Sequence, residues 1–181
     1  MPVTITDILD HLRREHIRLG ITLNPPATEA ELLNFEQQKE MRLPADMRAF
    51  YQCCNGFEVN SDLFRFMPLA ENLDDGWNHL LMSSHDFFVA EYMIYSDAWA
   101  LAIDASAPAG YIIYNALEDL TLTTSFAEFL EVAMHHGVHG NDGLYAWAKR
   151  LAPPASPLST SPSPVAVPIL PPPRRPWYKF W

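Results

Sequence analysis

Residues 28–56, TEAELLNFEQQKEMRLPADMRAFYQCCNG, decide how this chain folds. Thr28 followed by Glu31 is a capping-box pattern, in which a hydroxyl accepts the amide three residues on and a carboxylate reaches back to the cap amide. Leu32, Leu33, Phe35 and Glu36 carry the resulting helix to about Met41. Leu43-Pro44 restarts the chain, because proline suits a first helical turn, where its missing N–H has no partner to lose. Met47, Phe50, Tyr51 and Cys54 then form an apolar stripe at helical spacing, and Asn55-Gly56 supplies a left-handed stop.

Before this stretch, Ile5, Ile8, Leu9, Leu12, His16 and Leu19 predict a helix over about 4–18, ended by Gly20 and followed by an extended turn at Asn24-Pro25-Pro26. After it the period changes from helical to alternating. Leu63 to Met67 sets two phenylalanines against an outward Arg65, as in a half-buried strand. A short helix is expected over Ala70–Trp77, then strands over Phe87–Tyr95, Trp99–Asp104 and Tyr111–Asn115, with turns at Ser96-Asp97 and Pro108-Ala109-Gly110. The middle strand puts Trp99, Leu101 and Ile103 on one face and Ala98, Ala100 and Ala102 on the other, so one face buries and the other stays shallow. Ser125 caps a helix carrying Phe126, Phe129, Leu130, Ala133 and Met134, and Gly137 stops it; a last helix spans Gly143–Leu151. Turns this short cannot make parallel crossovers. The order therefore predicts an α+β fold, an antiparallel sheet flanked by helices.

Composition divides the chain in two. Ten of its 16 prolines fall in residues 153–181, so the reading is a domain over 1–152 and a proline-rich tail, expected to be disordered because prolines favour extended backbone and its apolar residues are too scattered to fold alone. The tail holds Arg174, Arg175 and Lys179 and no acid, which leaves nine Lys and Arg against 22 Asp and Glu in the body, formally −13. An acidic body excludes direct nucleic-acid binding. The uncharged run 152–173 contains nine prolines and is not transmembrane, and the N-terminal stretch lacks the pattern of a signal peptide. Two adjacent cysteines, Cys53 and Cys54, provide no disulfide framework. These observations point to a cytoplasmic protein.

Candidate chemistry is sparse. His135, His136, His139 and Asp142 have ligand types at short spacing, but Gly137 interrupts their helix, and a solvated helix end explains them better than a metal. Cys53 and Cys54 fall in an apolar helix, where thiols are usually inert. No phosphate-cradling glycine loop, dinucleotide fingerprint or Gly-x-Ser-x-Gly occurs. The expectation is a non-enzymatic protein with no cofactor and no metal. Among the aromatics, those on the sheet face opposite the helices are expected to make a contact patch.

The run from Glu29 to Glu36, Leu43-Pro44-Ala45-Asp46-Met47-Arg48-Ala49-Phe50, Asn55-Gly56 and the closing Ser125-Phe126-Ala127-Glu128-Phe129-Leu130 resembles the SMI1/KNR4 family, the SUKH superfamily, over about residues 20–136. The resemblance implies an α+β binding scaffold without an active site. Members serve as bacterial immunity proteins that neutralise toxins and, in eukaryotes, as interaction modules. The expected function is an immunity-type protein neutralising a toxin domain; the alternative is an adaptor linking partners through the domain and the proline-rich tail. The partner is a protein, and acidity favours a basic nuclease toxin, whose cleft an acidic surface mimics nucleic acid to enter. Glu71, Asp74, Asp75, Glu91, Asp97, Asp104, Glu118 and Asp119 are the candidate partner-binding residues.

Overall fold

A computed structural model describes residues 3–152; expectations about the tail lie outside the described residues. The chain runs α1 (Ile5–Glu15), β1 (Ile21–Leu23), α2 (Glu29–Gln38), α3 (Ala45–Cys53), β2 (Phe57–Val59) and β3 (Phe64–Phe66). Two 3₁₀ turns come next, Leu69–Leu73 and Asp75–Leu80, then β4 (Phe87–Tyr92), β5 (Asp97–Ile103), β6 (Tyr111–Asn115), β7 (Leu120–Thr123), α4 (Phe126–His136) and α5 (Leu144–Leu151). The seven strands lie side by side in chain order, each antiparallel to the next. The α2–α3 pair is inserted between β1 and β2.

The helix starts form as their sequences dictate. The Thr28 amide donates to Glu31 Oε2 at 2.7 Å while the Glu31 amide donates to Thr28 Oγ1 at 3.3 Å, a reciprocal box that satisfies two otherwise orphaned amides. Ser125 accepts the Glu128 amide at the start of α4, and Gly137 ends that helix at a φ of 63°. The end of α3 differs from expectation. Its cap is Cys54 in extended conformation, and the left-handed residue is Gly56, at a φ of 80°. The cause is steric: the backbone of Phe66, Met67 and Pro68 passes so close that any Cβ at position 56 collides with the Phe66 carbonyl. Asn55 acts as a tie, its side-chain oxygen accepting the Leu69 amide at 2.9 Å and its carbonyl accepting from Asn24 Nδ2 at 2.9 Å.

All five helices feed one core on one face of the sheet. Ile8, Leu9 and Leu12 of α1, Phe35 of α2, Phe50 of α3, Phe129 and Leu130 of α4 and Leu144 of α5 pack with Phe57, Phe66, Phe87, Trp99 and Ile113. Phe50 and Phe66 are twin hubs: Phe50 has ring centroids of Tyr51, Phe57, Phe66 and Phe126 at 5.2 to 6.2 Å, and Phe66 has those of Phe50, Phe57, Phe64, Phe126 and Phe129 at 4.5 to 6.2 Å. Burying one such ring stabilises the fold by about 2–3 kcal/mol, and the tilted and edge-on geometry adds to that.

The sheet and its outer face depart from expectation in four ways. First, β1, β2 and β7 are strands where the residue pattern predicts none. Second, Ala70–Trp77 is not one helix but part of the two 3₁₀ turns. Third, the alanine face is not shallow: Ala98, Ala100 and Ala102 are buried with Met67, Phe88 and Tyr114, with Leu80, Leu81 and Tyr95 packed against them. Small side chains there let the turns settle directly on the sheet. Fourth, β4 ends at Tyr92 because Met93, Ile94 and Tyr95 all take left-handed backbone, at φ of 51°, 55° and 58°. Three successive non-glycine residues in that region store strain.

One irregularity places a charged residue. Phe87 and Phe88 pair with Leu101 and Ala100, yet Ala90 pairs with Trp99, so Val89 is an extra residue. In a regular strand Glu91 shares a face with Phe87, inside the helix-covered core. The bulge reverses the alternation, turning Glu91 to the outer face beside Arg65.

Candidate functional site

Pairing of Glu58 with Arg65, and of Arg65 with Glu91, aligns an acid, a base and an acid in one row across β2, β3 and β4 on the face away from the helices. Arg65 Nε donates to Glu91 Oε1 at 2.6 Å, and its two terminal nitrogens reach the two oxygens of Glu71 at 3.0 and 2.8 Å. Burial works against the charge of Arg65, but the hydrogen bonds to Glu71 and Glu91 outweigh it and raise its pKa. The other oxygen of Glu91 accepts the Tyr95 amide at 2.8 Å, fastening the strained turn to the row.

That turn presents its side chains outward. The Tyr95 ring stacks on Trp77, with centroids 4.5 Å apart and planes 17° apart. Burial, followed by smaller effects of nearby charges, pushes the Tyr95 hydroxyl up to about 12. Beside the row lies a hollow of about 560 Å³ lined by Glu58, Asp62, Leu63, Arg65, Glu91 and Ile94 among others. Leu63 is 66% exposed and Ile94 80% exposed. Aliphatic side chains left in water beside carboxylates form a surface suited to protein contact.

The structure scatters the expected acids. Glu71 and Asp74 are exposed and stand together near Tyr95 and Arg65. Glu91 is 4% exposed and Asp97 8% exposed. Their carboxylates are engaged internally, Asp97 accepting from Asn115 Nδ2 at 2.6 Å and from the Ala98 amide at 2.9 Å, so neither belongs to a solvent-facing rim. Asp104 lies in the β5–β6 turn, where the Ser106 hydroxyl and amide hold its pKa low. Glu118 and Asp119 are exposed in the β6–β7 turn. That turn is at the opposite end of β6, about 17 Å from Asp104 at roughly 3.4 Å per residue. Asp75 sits at the start of the second 3₁₀ turn. Glu58, Asp62, Leu63 and Ile94 are site residues that the sequence reading misses; the alternation Phe57-Glu58-Val59 is the one signal that points to them.

The other candidate groups are not brought together. His135 packs against the His11 ring at 5.0 Å, whereas His139 meets the Tyr92 hydroxyl at 3.0 Å. Among the described residues no three potential metal ligands gather. Cys53 and Cys54 are buried and free. A hydrogen bond shared with Cys54, then the Arg13 charge, lowers the pKa of Cys53. A second hollow of about 640 Å³, near Met82, His85, Asp86 and Ile103, is edged by a closed polar network. Lys39 Nζ donates to the Asp86 carbonyl at 3.0 Å, and the Tyr114 hydroxyl donates to the Asp86 carboxylate at 2.9 Å. Among the described residues no helix is long and apolar enough to cross a membrane.

An antiparallel meander with every α-helix on one face, and an acid-rimmed aliphatic hollow on the other, defines an α+β fold whose outer sheet face is open to contact. The chain belongs to the SMI1/KNR4 family (SUKH-1), whose sequence pattern matches residues 26–131, from just before the capping box into α4. No curated protein matches the chain in sequence.

Proposed function

We propose that this protein is a non-catalytic, cytoplasmic immunity-type module that binds a toxin domain and occludes it, with the outer face of β2–β4 as the docking surface. The observation that carries this reading is the meeting of carboxylates and exposed apolar groups on one face: Glu58, half-buried Asp62, Leu63 and Ile94 line the hollow, Glu71 joins it through Arg65, and Asp74 and the Trp77–Tyr95 stack, with Trp77 exposed, lie beside the Arg65 cluster. The carboxylates attract a basic partner and speed encounter. The apolar groups supply the area that holds it. A nuclease with a basic cleft is the partner class that fits, because its substrate is itself a polyanion. Glu91 serves here by positioning Arg65 and the 93–95 turn. Asp75, Asp104, Glu118 and Asp119 extend the negative field.

The test begins with affinity purification and mass spectrometry to identify the partner, followed by association rates against ionic strength. The rate is expected to fall about tenfold or more from low salt to physiological salt, the range of electrostatically steered encounters. Charge reversal at Glu58, Glu71 and Asp74 should slow association more than reversal at Asp104. A flat salt dependence would overturn the nuclease reading in favour of purely apolar docking.

A further inference from the structure

We propose that the hollow beside the Glu58–Arg65–Glu91 row is also the docking place of the chain's own residues 174–181, which would then compete with the partner for it. Only the competition rests on the function proposed above; the docking does not. The segment reads Arg174-Arg175-Pro176-Trp177-Tyr178-Lys179-Phe180-Trp181, three cations and four aromatics with no acid. The hollow offers the complementary set. Among the described residues neither Glu58 nor Asp62 has a salt bridge. Leu63 and Ile94 present exposed aliphatic surface in the same hollow. In the segment a cation precedes an aromatic by two residues twice, at Arg175/Trp177 and at Lys179/Trp181. A carboxylate beside an aliphatic or aromatic surface matches that spacing, and burial of the ring adds to the charge attraction.

Reach permits the contact. The 21 residues from 153 to 173 span up to about 65 Å at roughly 3.1 Å per residue. A domain of about 150 residues has a radius of gyration of only about 15 Å. The chain leaves the described domain after α5, which packs on β7, and the hollow lies on β2–β4, about four strand spacings or 20 Å across the sheet. Tethering supplies an effective concentration in the millimolar range. Other occupants fit less well: a second copy brings another body of formal charge −13, and an anionic bilayer is repelled by the same acids.

Zero-length carbodiimide cross-linking of the full chain, read by peptide mass spectrometry, tests this directly. The chain has only three lysines, of which Lys39 is buried and Lys149 is exposed on α5, so bonds from Lys179 are assignable. The expected result is a Lys179 link to Glu58 or Asp62 in the monomer band. It should be lost in the variant carrying Glu58→Lys and Asp62→Lys, with a red shift of tryptophan emission that the Trp177→Phe, Trp181→Phe variant does not show. Links scattered over acids on all sides, links only between copies, or no Lys179 link would overturn the proposal. A variant with Arg174, Arg175 and Lys179 changed to Ser should bind the identified partner severalfold faster. If the cross-link is present and this rate is unchanged, the docking stands and the assignment of the partner to the same hollow falls.

Discussion

The two faces of this sheet solve different problems with the same strands. The helix-covered face is built from large rings that exclude water on all sides, with Phe50, Phe66, Phe129 and Trp99 fully or almost fully buried. The outer face holds its shape with charge, small residues and strain: an Arg65–Glu91–Glu71 cluster, three alanines under a 3₁₀ cover and three left-handed residues in a row. Apolar packing is indifferent to orientation, whereas a guanidinium fork and a fastened turn fix particular atoms in particular places. Stability therefore resides mainly on one face, and the fixed placement of charged and exposed groups on the other.

Phe50→Ala should separate the faces most sharply, costing about 3–5 kcal/mol because a ring contacting four others leaves a cavity. Urea unfolding measures it, and a loss under about 1 kcal/mol, far below the usual cost of such a truncation, would mean that the core is not centred there. Glu91→Ala is expected to cost about 2 kcal/mol, below the range for breaking a fully buried pair because Arg65 remains partly solvated. It should also release the 93–95 turn, seen as faster amide exchange at Tyr95; unchanged exchange would mean that the turn holds itself. Ala100→Val should cost about 1–2 kcal/mol by overpacking against the cover. A neutral result would show the alanine face to be as shallow as its sequence suggests.

The smallest effect is a pH dependence at the rim of the helix face. Burial first, and the neighbouring His11 second, lower the pKa of His135. Since the unfolded chain binds that proton more readily, the contribution is fully present above about pH 6.5 and is lost as pH falls through the lower folded value. Melting temperature measured from about pH 7.5 to about pH 5, a span that brackets the histidine range, should decline less steeply for His135→Gln than for the parent chain. Equal slopes would place the pH sensitivity elsewhere.

Legibility followed length and regularity. The helices are readable because their stripes run for two or three turns and their caps are chemical, as at Thr28 and Ser125. The antiparallel order follows from turns too short to cross over. Ile21–Leu23 and Phe57–Val59 are three residues each, too short for a period to declare itself, and with Phe57–Val59 the role of Glu58 is hidden as well. Acids nominated from composition carry no sign of which side they face. Asp97 is a case in point, since its carboxylate satisfies Asn115 instead of facing solvent. The patch itself joins Leu63 to Ile94 across β3 and β4, a neighbourhood made by pairing and invisible along the chain.

The extra residue at Val89 is one that β4 could lose without changing which way its later side chains face. A substitution there alters one contact. Removing Val89 instead returns the strand to regular alternation in the register it already has, with Phe88 outward, Ala90 inward, Glu91 outward and Tyr92 inward, so the row beside Arg65 keeps its orientation. The outer face is thus kept in phase by the bulge and not by the residue count: at the present length, flattening the bulge into regular pairing is what would drive the Glu91 carboxylate among the aromatic rings, whereas losing one residue there would not.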